Sequence, residues 1–210
     1  MNFNGFTAED FQTFTIDGLE ERMEAIRTRI QPKFLEIGQV LTEELSVSLQ
    51  TEMYLHIAKH ARRTKNPPKD TWLAIAANKR GYKQHPHFQV GLFDDHLFIW
   101  LAFIYELPNK ENIAEVFLNN INTISSIRND FYVSLDHTKK DAKPLGEIDL
   151  KSSLERFRDV KKAEFLIGRH INADRPILQD GDQLVKVIRE TFQTLIPLYK
   201  LSFEHKNVHI

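Results

Sequence analysis

Apolar residues recur at helical spacing in four stretches of the chain, and these stretches predict its main helices. In the first stretch two apolar stripes meet at Pro32, which indicates a bent helix or a pair of helices. In the last stretch we expect the helix to end at Pro197, because proline interrupts the hydrogen bonds of a helix interior. The four stretches cover about residues 18–49, 113–124, 149–162 and 183–197.

Between the helices the pattern changes to short apolar or alternating runs, which predict strands. The run HLFIWLAFIY, residues 96–105, is apolar at nearly every position, so we expect a central strand that is covered on both faces. Asp94 and Asp95 form a turn signal that makes this strand antiparallel to the one before it. The predicted strands cover about residues 53–59, 71–77, 87–93, 96–105, 131–135 and 164–172.

The order of these elements predicts the fold class. Helices precede and follow a run of hairpin-like strands, without the regular strand–helix alternation of a parallel sheet. The chain is therefore expected to form a single α+β domain over residues 1–210, with helices packed on a mostly antiparallel sheet. Residues 136–148 are polar and predict a loop, and residues 204–210 predict a frayed tail.

Composition narrows the class of protein further. Apolar residues make up 41% of the chain and charged residues 27%, and the formal net charge is −1, which excludes an intrinsically disordered protein. Cysteine is absent, which excludes disulfides and thiolate metal sites. The longest apolar run is too short to span a membrane, and the first residues lack the pattern of a signal peptide. We therefore expect a cytoplasmic protein without a membrane partner.

The charges are unevenly distributed. Residues 59–83 contain eight basic residues and a single acid, Asp70, whereas residues 1–58 are net acidic. A local positive field attracts anions such as phosphates, carboxylates or nucleic acid. A hairpin would bring the two basic clusters of this segment together, and Gly81 would let a ligand approach the backbone. The predicted anion-binding residues are Arg62, Arg63, Lys79, Arg80, Tyr82 and Lys83.

Histidines are concentrated in the same part of the chain. His60, His85 and His87 are candidates for a general base or a polar site, and packing at the rim of the sheet is the alternative interpretation. Because the sequence shows no complete set of metal ligands, we expect no bound metal and no cofactor.

Three functions remain open. The first is a binding protein for a phosphate-bearing small ligand, the second a nucleic-acid-binding module on the same basic patch, and the third an enzyme that uses a histidine base on anionic substrates. The nucleic-acid hypothesis is weakened by the acidity of the rest of the chain. Aromatic residues near the basic patch would allow stacking on bases, but Trp72 and Phe88 lie inside apolar strand patterns and are expected in the core. The common nucleotide-binding, protease and hydrolase motifs are absent from the sequence.

Two blocks of sequence carry a resemblance to a known family. Within residues 56–100 the motifs RRT-x-NPP, NKRGYK and PHFQ-x-GL occur in order, and residues 17–34 fit the same pattern. On these motifs the chain resembles the YktB-like family of uncharacterised bacterial proteins. The resemblance implies a compact α+β fold in a bacterial cytoplasm. It implies no activity, so no catalytic residue is transferred from it.

Overall fold

Helices precede, interrupt and follow the strands in the computed structural model, which describes residues 3–204. The α-helices are α1 (Ala8–Gln12), α2 (Leu19–Ala25), α3 (Gln31–Leu49), α4 (Lys110–Asn119), α5 (Ile121–Ser125), α6 (Leu150–Asp159) and α7 (Gly181–Leu201). The strands are β1 (Tyr54–Ile57), β2 (Thr71–Ala76), β3 (His87–Leu92), β4 (His96–Phe103), β5 (Tyr132–Ser134), β6 (Lys143–Pro144) and β7 (Phe165–Asn172). Shorter helical turns cover Thr13–Thr15, Ile26–Ile30 and Pro176–Gln179.

The strands of this described part of the chain form one sheet in the order β1-β2-β3-β4-β7-β5-β6. Every neighbouring pair is antiparallel. The predicted α+β class with a mostly antiparallel sheet is therefore confirmed.

Strand β4 lies inside the sheet, between β3 and β7, and all of its residues are buried. Leu97, Ile99, Leu101 and Phe103 belong to one apolar cluster, and Phe98, Trp100, Ala102 and Ile104 belong to another. The alternation of side chains along a strand assigns these clusters to opposite faces of the sheet. The prediction of a central strand buried on both faces is confirmed.

The two faces differ in what covers them. On the first, which we call the helix face, large side chains from α3, α4, α6 and α7 pack against the strands. The second, which we call the loop face, carries the smaller cluster of Phe93, Phe98, Trp100, Ala102, Ile104 and Leu166, and no helix residue in the described range belongs to it.

Three prolines lie where the structure refines or departs from the expected elements. The bend in the first long helix is a π-helical turn, Ile26–Ile30, and Pro32 follows it inside the first turn of α3, where its missing N–H is not needed. Helix α7 does not end at Pro197 but continues to Leu201, because Leu198 and Tyr199 beyond the proline are buried. The predicted loop 136–148 contains the short strand β6, which ends in Pro144 and lies at the sheet edge, where proline is tolerated.

Of the expected frayed tail, Glu204 is exposed, and residues 205–210 lie outside the described residues. In residues 3–204, none of the helices is both long and apolar enough to cross a membrane.

Candidate functional site

A pocket of about 690 Å³ opens where three separate segments meet beside Trp72. Helix α2 contributes Arg22, and the loop after β5 contributes His137 and Thr138. The loop between β1 and β2 contributes Arg63, Asn66, Pro67, Lys69 and Asp70. A volume of this size is typical of small-molecule sites. The lining includes three cations, a carboxyl group, an imidazole and an indole, namely Arg22, Arg63, Lys69, Asp70, His137 and Trp72.

Arg22 is the buried cation of the pocket, with 8% of its surface exposed. Its Nε donates a hydrogen bond to the carbonyl of Ile16 at 2.8 Å, and its Nη1 donates to the carbonyl of Pro68 at 2.9 Å. These bonds tie the start of the chain to the β1–β2 loop and fix the guanidinium plane. Within residues 3–204, no hydrogen bond occupies Nη2, and no carboxylate forms an ion pair with Arg22.

Arg63 and Lys69 are the exposed cations of the pocket, and neither forms an ion pair with any described residue. Arg63 makes one long hydrogen bond, from Nη1 to the carbonyl of Asn66 at 3.5 Å. Its positive charge lowers the pKa of both Asp70 and His60, so the guanidinium lies close to the pocket wall.

Asp70 is the buried carboxyl group of the pocket, with 7% of its surface exposed. Burial raises its pKa to about 6, although the charges of His137 and Arg63 act in the opposite direction. Among the described residues, no side chain donates a hydrogen bond to this carboxylate and no cation forms an ion pair with it.

His137 is held by a second buried carboxylate, Glu164, which is 3% exposed and lies just before β7. The backbone N–H of His137 donates to Oε2 of Glu164 at 2.8 Å, and Nδ1 of the ring lies 2.8 Å from both carboxylate oxygens. The backbone N–H of Tyr105 also donates to Glu164. Burial alone would lower the pKa of His137, but the bond to Glu164 and the nearby negative charges of Glu164, Asp70 and Asp136 raise it. Within residues 3–204, Nδ1 is bound to Glu164 and no hydrogen bond occupies Nε2 of the ring.

Asp136, His137 and Glu164 also bring three potential metal-ligating atoms within 4.8 Å of one another. We assign this group to a hydrogen-bonded pair and not to a metal site, because Nδ1 of His137 already contacts the carboxylate and Asp136 accepts two bonds from Thr138. The expected absence of a metal stays a prediction.

Trp72 and Tyr82 connect the pocket to the loop face. Trp72 is half-buried, packs against the apolar cluster of the loop face and also lines the pocket, so it belongs to the core only in part, whereas Phe88 is fully buried as expected. The indole N–H donates to the Tyr82 hydroxyl at 3.0 Å. The Tyr82 ring in turn lies 4.8 Å from that of His87. Tyr82 therefore holds the Trp72 side of the pocket in place through contacts outside the pocket lining.

The predicted histidines take different positions. Nε2 of His60 lies 3.1 Å from the Thr71 hydroxyl, the ring meets Trp72 edge-on at 5.5 Å, and burial, with Arg63, lowers its pKa to about 4. His87 is fully buried, with Nδ1 bonded to the carbonyl of His85 and Nε2 to the amide of Gln89. His85 is half-buried, and its backbone N–H donates to the carbonyl of Tyr82.

The two predicted basic clusters leave β2 at opposite ends, because one loop precedes that strand and the other follows it. Arg62, Lys79 and Arg80 are exposed and do not line the pocket, and Lys83 forms an ion pair with Glu106 at 3.1 Å. Arg63 is thus the predicted anion-binding residue that the pocket contains, and a single surface joining the clusters stays a prediction.

Sequence reasoning missed Arg22, Lys69, Asp70, His137 and Glu164. Asp70 carried a usable signal, since it is the lone acid in a strongly basic run and directly precedes an apolar strand. Lys69 lies in the same basic run, but nothing in the sequence distinguishes it from the other cations there. Arg22, His137 and Glu164 lie elsewhere in the chain, and the fold alone brings them to the pocket.

A model of the family described as "Domain of unknown function (DUF1054)" matches residues 6–199 of this chain. The chain belongs to the DUF1054 family. Among its DUF1054-like relatives, the UPF0637 protein ABC2405 of Shouchella clausii is 65% identical over 203 residues, covering 96% of each chain. The UPF0637 protein OB1420 of Oceanobacillus iheyensis is 62% identical, covering 97% of this chain and 99% of its own. A UPF0637 protein of Listeria monocytogenes serotype 4a is 51% identical, covering 97% and 100%.

The DUF1054 match includes every pocket residue described above and confirms the family resemblance that the motifs indicated. The family description states no activity, so the chemistry of the pocket follows from its own residues.

Proposed function

We propose that the pocket binds a small anionic ligand that carries a phosphate group. The observation that supports this is the convergence of Arg22, Arg63 and Lys69 on one pocket without an ion-pair partner among the described residues. Unpaired cations that share a concave site raise the local potential, and a bound anion relieves their mutual repulsion.

Arg22 is suited to be the fixed point of such a site. Because Nε and Nη1 are bound to backbone carbonyls, the guanidinium is already oriented before a ligand arrives. Little side-chain entropy is then lost on binding. Arg63 and Lys69, on the exposed loop, add charge-assisted hydrogen bonds to phosphate oxygens.

The pocket offers more than charge. Trp72 lines the pocket with apolar indole surface, against which the organic part of a ligand can pack. The ligand class that fits is therefore a small phosphorylated molecule.

A second pocket, of about 680 Å³, lies between the β5–β6 loop and α6. Its charged side chains, which include Lys139, Asp141 and Arg156, are exposed or half-exposed. It lacks the buried, unpaired charged groups that distinguish the Arg22 pocket.

The test is calorimetric titration with inorganic phosphate and pyrophosphate, supported by thermal-shift measurements. Arg63→Ala and Lys69→Ala should each weaken binding about tenfold or more, because a hydrogen bond to a charged group contributes about 1.5–3 kcal/mol. Lys79→Ala and Arg80→Ala are the matched controls, since they come from the same basic run but lie outside the pocket.

Equal losses in all four variants would contradict the pocket and support the wider basic surface that the sequence suggested. In that case, binding of a single-stranded oligonucleotide with a steep salt dependence would favour the nucleic-acid alternative. Absence of phosphate binding to the wild-type protein would overturn the proposal.

A further inference from the structure

Asp70 is difficult to explain as part of a site that only binds anions. A carboxylate repels a phosphate, and the Asp70 carboxylate is buried with a backbone hydrogen bond but, within residues 3–204, without an ion-pair partner, which is a costly arrangement for a charge. A pocket selected for affinity alone would have an amide or a hydroxyl at this position. A carboxyl group at this position is suited to exchange a proton with a ligand or a water molecule in the pocket.

His137 supplies the complementary group. Its Nδ1 is bound by Glu164, which fixes the ring and leaves Nε2 free, and the residue lines the same pocket as Asp70. A carboxylate behind a histidine stabilises the imidazolium form and orients the ring for proton transfer. Asp70 and His137 are close enough that the charge of each affects the pKa of the other.

We propose that the pocket hydrolyses a phosphate ester, with Asp70 as the general base and His137 as the general acid. This inference rests on the proposed function, because Arg22, Arg63 and Lys69 must first hold the phosphoryl group. These cations would also stabilise the negative charge on the phosphoryl oxygens in the transition state.

The reaction needs only water as a co-reactant. Asp70 takes a proton from a water molecule while the water oxygen forms a bond to phosphorus. The bond between phosphorus and the ester oxygen breaks, its electron pair stays on that oxygen, and Nε2 of His137 donates the proton that makes the leaving group an alcohol. The products are the alcohol and the phosphate, and solvent returns the proton from Asp70 to His137.

The electrostatic surroundings agree with these roles. The charge of Asp70, whose pKa is about 6, interacts with those of His137 and Arg63 and raises the pKa of Tyr82, while His137 interacts with the charges of Glu164, Asp70 and Asp136 and lowers the pKa of His87. Above pH 6 the base is ionised, and below the raised pKa of His137 the acid is protonated. Activity should therefore follow a bell-shaped pH profile between these two values.

The test measures turnover of p-nitrophenyl phosphate as a monoester and bis(p-nitrophenyl) phosphate as a diester, each compared with its unsubstituted phenyl analogue. Asp70→Asn should lower kcat at least about 100-fold on every ester that the wild type hydrolyses, because general base catalysis contributes about 10²–10⁴. The same variant should bind inorganic phosphate at least as tightly as the wild type, since a repelling charge is removed.

His137→Gln should have a selective effect. Phenyl esters, whose leaving group needs a proton, should lose about 100-fold in kcat, whereas p-nitrophenyl esters, whose leaving group departs unprotonated, should lose less than about tenfold. Lys79→Ala, purified in parallel, should keep wild-type turnover. If His137→Gln fails to fold, Asp70→Asn and its missing acidic limb in the pH profile carry the test alone.

The outcomes separate the two proposals. Phosphate binding without turnover of either ester class would overturn the hydrolytic role and leave the proposed function standing. Turnover that Asp70→Asn retains would also overturn it, since the activity would arise elsewhere. Failure of phosphate to bind the wild type would overturn the proposed function itself.

Discussion

The helix face and the loop face of the sheet are made by the same strands, yet they differ in every property that matters for function. On the helix face the side chains are apolar, fully buried and packed by helices. On the loop face the same strands present His56, Trp72, His87 and His170, and no helix residue of the described range belongs to the apolar cluster there. Because successive side chains point to opposite faces, one strand can stabilise the domain with one set of residues and build a site with the other.

Glycine makes room for the aromatic residues of the loop face. A Cβ on Gly91 would lie 2.1 Å from the ring of Phe98, and one on Gly168 would lie 1.8 Å from the carbonyl oxygen of Ile99 and 2.9 Å from the ring of Trp100. The large rings therefore lie across neighbouring strands. On the helix face the close contact involves a helix glycine instead, since a Cβ on Gly38 of α3 would lie 2.6 Å from the side chain of Leu55 on β1.

The largest expected effect is the loss of stability when a large side chain is removed from the helix face, compared with the same change on the loop face. Phe117 on α4 is fully buried and packs edge-on against Phe103 at 5.0 Å, so Phe117→Ala should lower the free energy of unfolding by about 3–5 kcal/mol. Trp72→Ala should cost less than half of that, because it enlarges a pocket that is already open to solvent. Urea unfolding followed by circular dichroism measures both, and equal losses would contradict the division of roles.

The division into faces could be predicted, because it follows from local alternation. The run at residues 96–105 alone indicated which residues of β4 share a face. The site could not be predicted from the sequence, because Asp70, His137 and Glu164 lie far apart in it and their neighbours show no shared pattern. The loop that carries His137 also contacts the β3–β4 turn, through ion pairs of Lys140 with Asp94 and Asp95, and these residues too are distant in the sequence.

We expect the buried histidines of the loop face to cause much of the loss of stability at acidic pH. Burial lowers the pKa of His87 and His170 to about 3, whereas an unfolded histidine titrates near 6.5. Between these values the unfolded chain binds more protons than the folded one, so stability falls as the pH drops below about 6.5. The slope should approach about 1.4 kcal/mol per pH unit for each histidine.

His87→Gln tests the source of this effect. The variant removes one titrating group, so its unfolding free energy, measured by urea titration from pH 7 to pH 4, should fall less steeply than that of the wild type. Phe117→Ala, on the helix face, should lower the whole curve without changing its slope. A wild-type stability that stays constant between pH 7 and pH 5 would refute the assignment.

The smallest expected effect concerns the contact between Glu164 and His137, which holds the imidazole ring in the pocket. Glu164→Gln keeps the size of the side chain but removes the charge that His137 contacts, so we expect a loss of about 1–3 kcal/mol at pH 6. Because the folded pKa of His137 is raised, its charged contribution is complete below about 6.5 and is lost as the pH rises through the folded pKa. The difference in unfolding free energy between variant and wild type should therefore narrow toward pH 9.

Glu106→Gln, which disrupts the exposed pair with Lys83, is the matched control and should cost less than about 1 kcal/mol. A Glu164→Gln penalty that grows with pH would show that Glu164 stabilises the fold without the imidazolium.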